Sequence, residues 1–252
     1  MYRLQAKFLL LLPLLAVYIA AQADELAAEK IKVDSRKNPG NLSYRWVFKA
    51  MHELQTYLPA EPRMIDLRLR MLHTEMSGAE RDLYMPGHWA AAVVGDTVDV
   101  DLPVERGGYF SLPDLPGARE EDATLMFNSQ TQKRAIEPAW VVRLQEHDAL
   151  AYSDFAHALA DIATAQSKIP WHSLAMRNQK NMQYDSLKVC FKEALGTILL
   201  NGVAIDGPRR GPCAWLSYDP ALLAANPHIS FSAPLQLALL DSRVNARSDS
   251  PR

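Results

Sequence analysis

The chain has 252 residues, a formal charge of −2 and 48% hydrophobic residues, enough apolar content to bury a sizeable core. A mild acidic excess without a basic block excludes a protein that grips nucleic-acid phosphates, which needs a cationic face. The length suits one large domain or two small ones.

The N-terminus reads as a secretory signal. Arg3 and Lys7 make a positive start, Phe8 to Ala20 is apolar, and Ala21-Gln22-Ala23 supplies the small residues that signal peptidase reads, placing cleavage after Ala23. That apolar run has 13 residues, whereas a spanning helix needs about 20. Removing residues 1–23 takes two of the 27 basic residues and none of the 29 acidic ones, leaving a mature charge of −4. No later apolar run approaches spanning length, so no membrane span is expected after cleavage. The expected location is periplasmic or secreted.

Residues 24–40 read as a polar leader ending in the turn Lys37-Asn38-Pro39-Gly40. Trp46, Val47, Met51, Leu54 and Leu58 predict a helix over 44–57, capped by Asn41 or Ser43 and ended by Pro59 and Pro62. With the leader it makes up segment 24–62. Over 63–75 the period falls to two: Ile65, Leu67, Leu69 and Met71 alternate with Asp66, Arg68 and Arg70, as in a half-buried strand. Short strands cut by turns follow: 89–94, 97–104, 109–112, 124–128 and 139–144. Six strands with no helix between them predict an antiparallel β-sandwich-like region over 63–149.

The remainder mixes periods. Phe155, Leu159, Ile162 and Ala163 predict a helix over 153–167 with Ser153 as cap and Pro170 as stop. A polar connection over 171–184 is followed by a second predicted helix, 185–195, carrying Cys190. Strands are expected at 198–205, 214–218 and 229–240. The fold class is thus α+β: an N-terminal helix, a sandwich-like region and a smaller C-terminal α+β region over 150–241. An arrangement in which the late strands join the early sheet also fits. The Ser-, Asn- and Arg-rich tail 242–252 is expected to be disordered.

Cys190 and Cys213 are the only cysteines, and 22 residues between them favour a structural disulfide over a redox-active Cys-x-x-Cys pair. No complete catalytic motif is present. His52-Glu53 lacks the second histidine of a zinc motif. Asp154, His157 and Asp161 lie at helical spacing on one face and, with His147 or His172, come nearest to a ligand set for a divalent metal; a solvated polar face with an ordinary Asp–His pair is the commoner account. Asp96, Asp99 and Asp101 are acidic but lack the calcium-loop pattern. Recognition is better placed in Arg106-Gly107-Gly108-Tyr109-Phe110, where glycines turn the backbone beside Arg and two aromatics, and in Arg209-Arg210, stiffened by Pro208 and Pro212. Trp171 beside His172 is expected at a surface or cleft rim, whereas Trp89, Trp140 and Trp215 are expected in the core.

These features make a non-enzymatic binding or interaction protein without a cofactor the leading expectation, its partner another envelope protein or a small anionic ligand. A metal-dependent periplasmic hydrolase and an envelope assembly factor that pairs a sheet edge with a client strand are the alternatives.

Overall fold

A computed structural model describes residues 38–242 apart from 74–75, 86–89, 129–130, 145–148, 173–176 and 193–195. Residues 1–23, expected to be a signal segment, the expected leader up to residue 37, the tail 243–252, Trp89 and His147 lie outside the described residues.

Strand β1 (Leu42–Ser43) leads directly into helix α1 (Tyr44–Tyr57). The Ser43 hydroxyl accepts the Trp46 amide at 3.1 Å, satisfying one of the amides a helix start leaves without an internal partner. Tyr44, Val47, Met51 and Leu54 form the buried stripe, while Trp46, one residue out of phase, is 55% exposed. Ser43→Ala should lower the unfolding free energy by about 1 kcal/mol, readable in urea denaturation. An unchanged midpoint would show that α1 is held by its buried stripe alone.

Strand β2 (Ile65–His73) is followed by helix α2 (Gly78–Leu83) and strands β3 (Ala91–Val94), β4 (Asp99–Leu102), β5 (Val104–Glu105) and β6 (Tyr109–Phe110). Pro103, which has no amide to donate, splits the single strand expected over 97–104, and its halves enter different sheets. Helix α3 (Pro116–Glu120), strands β7 (Thr124–Phe127), β8 (Thr131–Val142) and β9 (Leu150–Ala151), and helix α4 (Tyr152–Lys168) complete the first two thirds. In α4 the buried residues are Tyr152, Phe155, Ala158, Ile162 and Ala165. The helix starts ahead of the expected Ser153 cap: Asp154 accepts the Ala151 amide at 3.2 Å, and the Ser153 amide donates to Asn226.

Helix α5 (Arg177–Asn181) precedes strands β10 (Ser186–Phe191), β11 (Ile198–Leu200), β12 (Val203–Ala204), β13 (Arg209–Arg210), β14 (Cys213–Ser217), β15 (His228–Phe231) and β16 (Leu235–Asp241). The helix expected over 185–195 is therefore a correction, since Ser186–Phe191 is a strand. All six of its residues are buried, and a strand covered on both faces shows no alternation of apolar and polar residues from which to read its period. The strand expected over 198–205 is a hairpin turning at Asn201-Gly202, and that over 229–240 is two strands parted at Ser232–Pro234.

The protein is α+β with a sheet-rich core, and every ladder among the described residues is antiparallel. Its main sheet has eight strands in the order β13-β14-β10-β16-β8-β2-β6-β5, flanked by the four-stranded sheets β1-β7-β3-β4 and β12-β11-β15-β9. Strands from 63–149 and from 150–241 thus share one sheet, joined where β16 pairs with β8 at Leu239 and Val141. One face of it carries Ile65, Leu69, Met71, Trp140, Leu187, Val189, Phe191 and Leu216, all buried under α1, α4 and the smaller sheets. Each such large apolar side chain contributes about 1.5–3 kcal/mol. On the other face Tyr109 of β6 meets Leu237 and Leu239 of β16 across two intervening strands, so the sheet curls around that face.

Candidate functional site

The inner face of the curl carries charge. Alternation along β2 and β10 that sends Leu69 and Leu187 into the core sends Arg70 and Lys188 the opposite way, and register places Lys188 opposite Trp215 and Arg210 opposite Cys213. Helix α2 closes over them. Its start is a capping box, with Ser77 and Glu80 each accepting the other's amide at 3.3 and 2.6 Å. Gly78 lies so close to Arg210 that a Cβ there would approach its Nη1 to 2.8 Å.

From α2 the Asp82 carboxylate, wholly buried, takes four hydrogen bonds from three cations. Lys188 Nζ and Arg70 Nη2 donate to Oδ1 at 2.6 and 2.9 Å, and Arg210 Nη2 and Nε donate to Oδ2 at 2.9 and 3.1 Å. The side chains of Lys188, Arg210 and Arg70 are 3%, 10% and 12% exposed, so these charges interact with little screening by water. Arg70 lies over the Tyr109 ring at 4.8 Å, and Lys188 and Arg210 lie over Trp215 at 5.1 Å each. Trp215 Nε1 donates to Asp241 at 3.1 Å. The Cys190–Cys213 disulfide packs against Trp215 and ties β10 to β14, the strands that carry Lys188 and Trp215.

Burial by itself raises the Asp82 pKa, but Lys188, Arg70 and Arg210 overcome it and hold the carboxyl down at about 2. Burial pulls the Lys188 ammonium down, with Arg70 adding to the effect against the attraction of Asp82. Burial also raises Tyr109, whose hydroxyl therefore stays protonated.

Among the described residues β8 and β16 pair at Val141 and Leu239, and a cavity of about 110 Å³ lies beside that seam. Arg70, Tyr109, Glu137, Lys188 and Asp241 line it. Gln179 of α5 helps close one side, its Oε1 taking hydrogen bonds from Trp140 Nε1 at 3.0 Å and the Tyr184 hydroxyl at 2.8 Å. Among the described residues Lys188 Nζ makes one hydrogen bond, to Asp82, although an ammonium has three donors. The Tyr109 hydroxyl, in a residue 3% exposed, and the Glu137 carboxylate make none among the described residues. The cavity wall thus presents both hydrogen-bond donors and an acceptor.

Of the residues singled out in the sequence, Tyr109 and Arg210 meet at the cavity and the others are dispersed. Arg106 sits in a 3₁₀ turn, donating to Met85 Sδ at 3.2 Å and to the Phe191 carbonyl at 3.4 Å. Phe110 is a core residue, whereas Tyr109 points the opposite way into the curl. Arg209 and Arg210 diverge as neighbours in a strand must: Arg209 bonds the Gly196 carbonyl at 2.8 Å and Arg210 holds Asp82. Trp171 is 84% exposed with His172 edge-on at 5.6 Å. Of the metal candidates, Asp154 is committed to the Ala151 amide, Asp161 accepts the Met64 amide at 2.6 Å and His157 is exposed. No group of three His, Cys, Asp or Glu able to hold a metal occurs among the described residues.

Arg70, Asp82 and Lys188 escaped the sequence reading. One signal for them was present: Ser77-x-x-Glu80 is a capping-box pattern that marks a short helix carrying Asp82. A second was the lysine inside the apolar run 187–191, which in a strand buried on both faces must find a carboxylate.

The disulfide fits an extracellular location, and no helix among the described residues is long and apolar enough to cross a membrane. No protein-family model, curated protein or solved structure matches the chain.

Proposed function

We propose that this is a non-enzymatic binding module, secreted or periplasmic, that takes a small polar ligand into the seam between β8 and β16. The observation that carries this reading is the convergence of Arg70, Tyr109, Glu137, Lys188 and Asp241, a mixed set of hydrogen-bond donors and acceptors, on one small cavity. At about 110 Å³ the space is well below the roughly 300–1,000 Å³ of pockets for drug-sized molecules, which limits the ligand to a few heavy atoms. The metal-hydrolase alternative has less support, since Asp154 and Asp161 each already accept a backbone amide.

The test is a thermal-shift screen of small carboxylates, phosphates, amino acids and neutral amides against the mature protein. Binding to the folded state alone raises stability with ligand concentration, so at least one class should raise Tm progressively. The same class should act more weakly on Tyr109→Phe. If no class shifts the wild-type protein, the cavity is a structural void and the reading fails.

A further inference from the structure

Resting on the reading of the seam as a ligand cavity, we infer that its ligand is a small oxyanion, a carboxylate or phosphate-type group bound by Lys188 Nζ and Tyr109 Oη. Charge points this way first. Arg70, Arg81, Lys188 and Arg210 line the cavity against Glu137 and Asp241, and with Asp82 behind the wall the cations still outnumber the carboxylates. A ligand cation would enter against that excess.

The hydrogen-bond inventory points the same way. Asp82 takes one N–H of Lys188 and leaves two, on a side chain 3% exposed whose nitrogen also lies over Trp215. The Tyr109 hydroxyl adds a donor on a residue 3% exposed. An anionic oxygen is the acceptor these donors hold most strongly, since charge-assisted hydrogen bonds are about twice as strong as neutral ones. The acidic groups restrict the position of the ligand: Asp241 already accepts Trp215 Nε1 and Glu137 stands opposite Arg70 in the β2–β8 ladder, so an anion must sit clear of both carboxylates. The same acids and the small volume exclude bulky polyanions.

Isothermal titration at constant ionic strength tests this with four probes: acetate, inorganic phosphate, the neutral isostere acetamide and the zwitterion glycine. Acetate or phosphate should saturate a single site on the wild-type protein, acetamide should not, and Tyr109→Phe should bind the anion about tenfold more weakly, which is the loss of one hydrogen bond of about 1.4 kcal/mol. Tyr109→Phe keeps the ring under Arg70, and an unchanged far-ultraviolet spectrum with a Tm near wild type would confirm that its fold is intact. Saturation by acetate alone assigns a carboxylate, and saturation by phosphate alone a phosphate. Acetamide binding as tightly as acetate overturns the anion assignment and leaves the binding reading standing, whereas glycine binding as tightly as acetate supports a carboxylate whose neighbouring ammonium is tolerated. Equal anion affinity in Tyr109→Phe overturns the placement at Tyr109. If none of the four probes binds while the thermal-shift screen finds another ligand, only this inference falls; if that screen is also blank, both fall.

Discussion

Replacing Asp82 by alanine should lower the unfolding free energy by about 3–5 kcal/mol, the loss expected when one partner of a buried ion pair is removed and the others keep their charge. Asp82 is the carboxylate on which Arg70, Lys188 and Arg210 converge, and it joins α2 to three strands, β2, β10 and β13. Without it three cations, none more than 12% exposed, repel one another in a poorly solvated space. Acid titration provides an independent check. The unfolded pKa of an aspartate is about 3.9 and the folded value about 2, so the folded pKa is depressed. The stability Asp82 contributes is therefore fully present above about pH 4 and lost as pH falls through about 2. Linkage over that interval amounts to about 2–3 kcal/mol, the larger part of the expected loss. Urea denaturation of wild type and Asp82→Ala at pH 7 and at pH 2 should show two curves well separated at neutral pH and closer together in acid. A loss below about 1 kcal/mol at pH 7 would mean that the three cations are satisfied without Asp82.

Removing the disulfide should cost about 3 kcal/mol in the chain-entropy model, for a bridge between residues 23 apart in sequence. The Cys190→Ala, Cys213→Ala protein should unfold at a lower urea concentration, and adding reductant under denaturing conditions should move the wild-type curve towards it. The loss should extend to the cavity. Cys190 lies two residues from Lys188 on the same strand face, and Cys213 is paired with Arg210 in the β13–β14 ladder. Loosening β10 from β14 lets the cations shift relative to Asp82, so a ligand found in the thermal-shift screen should bind the doubly substituted protein more weakly at a temperature where it remains folded. If stability is unchanged, the five paired positions of the β10–β14 ladder hold these strands without the bridge.

How far local pattern can be trusted follows from how each segment is buried. Helix α1 and strand β2 have one face in the core and one towards polar surroundings, so their periods of 3.6 and 2 are written in the residues, and their expected limits lie within about two residues of those found. Helix α4 was legible for the same reason, although its cap is Ala151 with Asp154 and not Ser153. Strand β10 was not legible, because both its faces are covered and Lys188 looks like the polar face of a helix. The pairing of two lone cysteines needed only their number and their compartment.

Alternation, spacing and the cysteine count, then, determined on their own an α+β chain, its main one-sided helices and strands, and its disulfide. They act over a few residues, and so does the chemistry that caps a helix or ends a strand. The Asp82 cluster joins residues 12, 106 and 128 positions apart, and no local rule relates a carboxylate on a six-residue helix to a lysine on a strand more than a hundred residues later. Only the tertiary structure decided that meeting. The order of strands in the main sheet puts β10, β13 and β2 around one curled face, and the cavity lies beside the seam of β16 with β8. Long-range pairing is set by how all the apolar faces are buried together, and that is where the site resides.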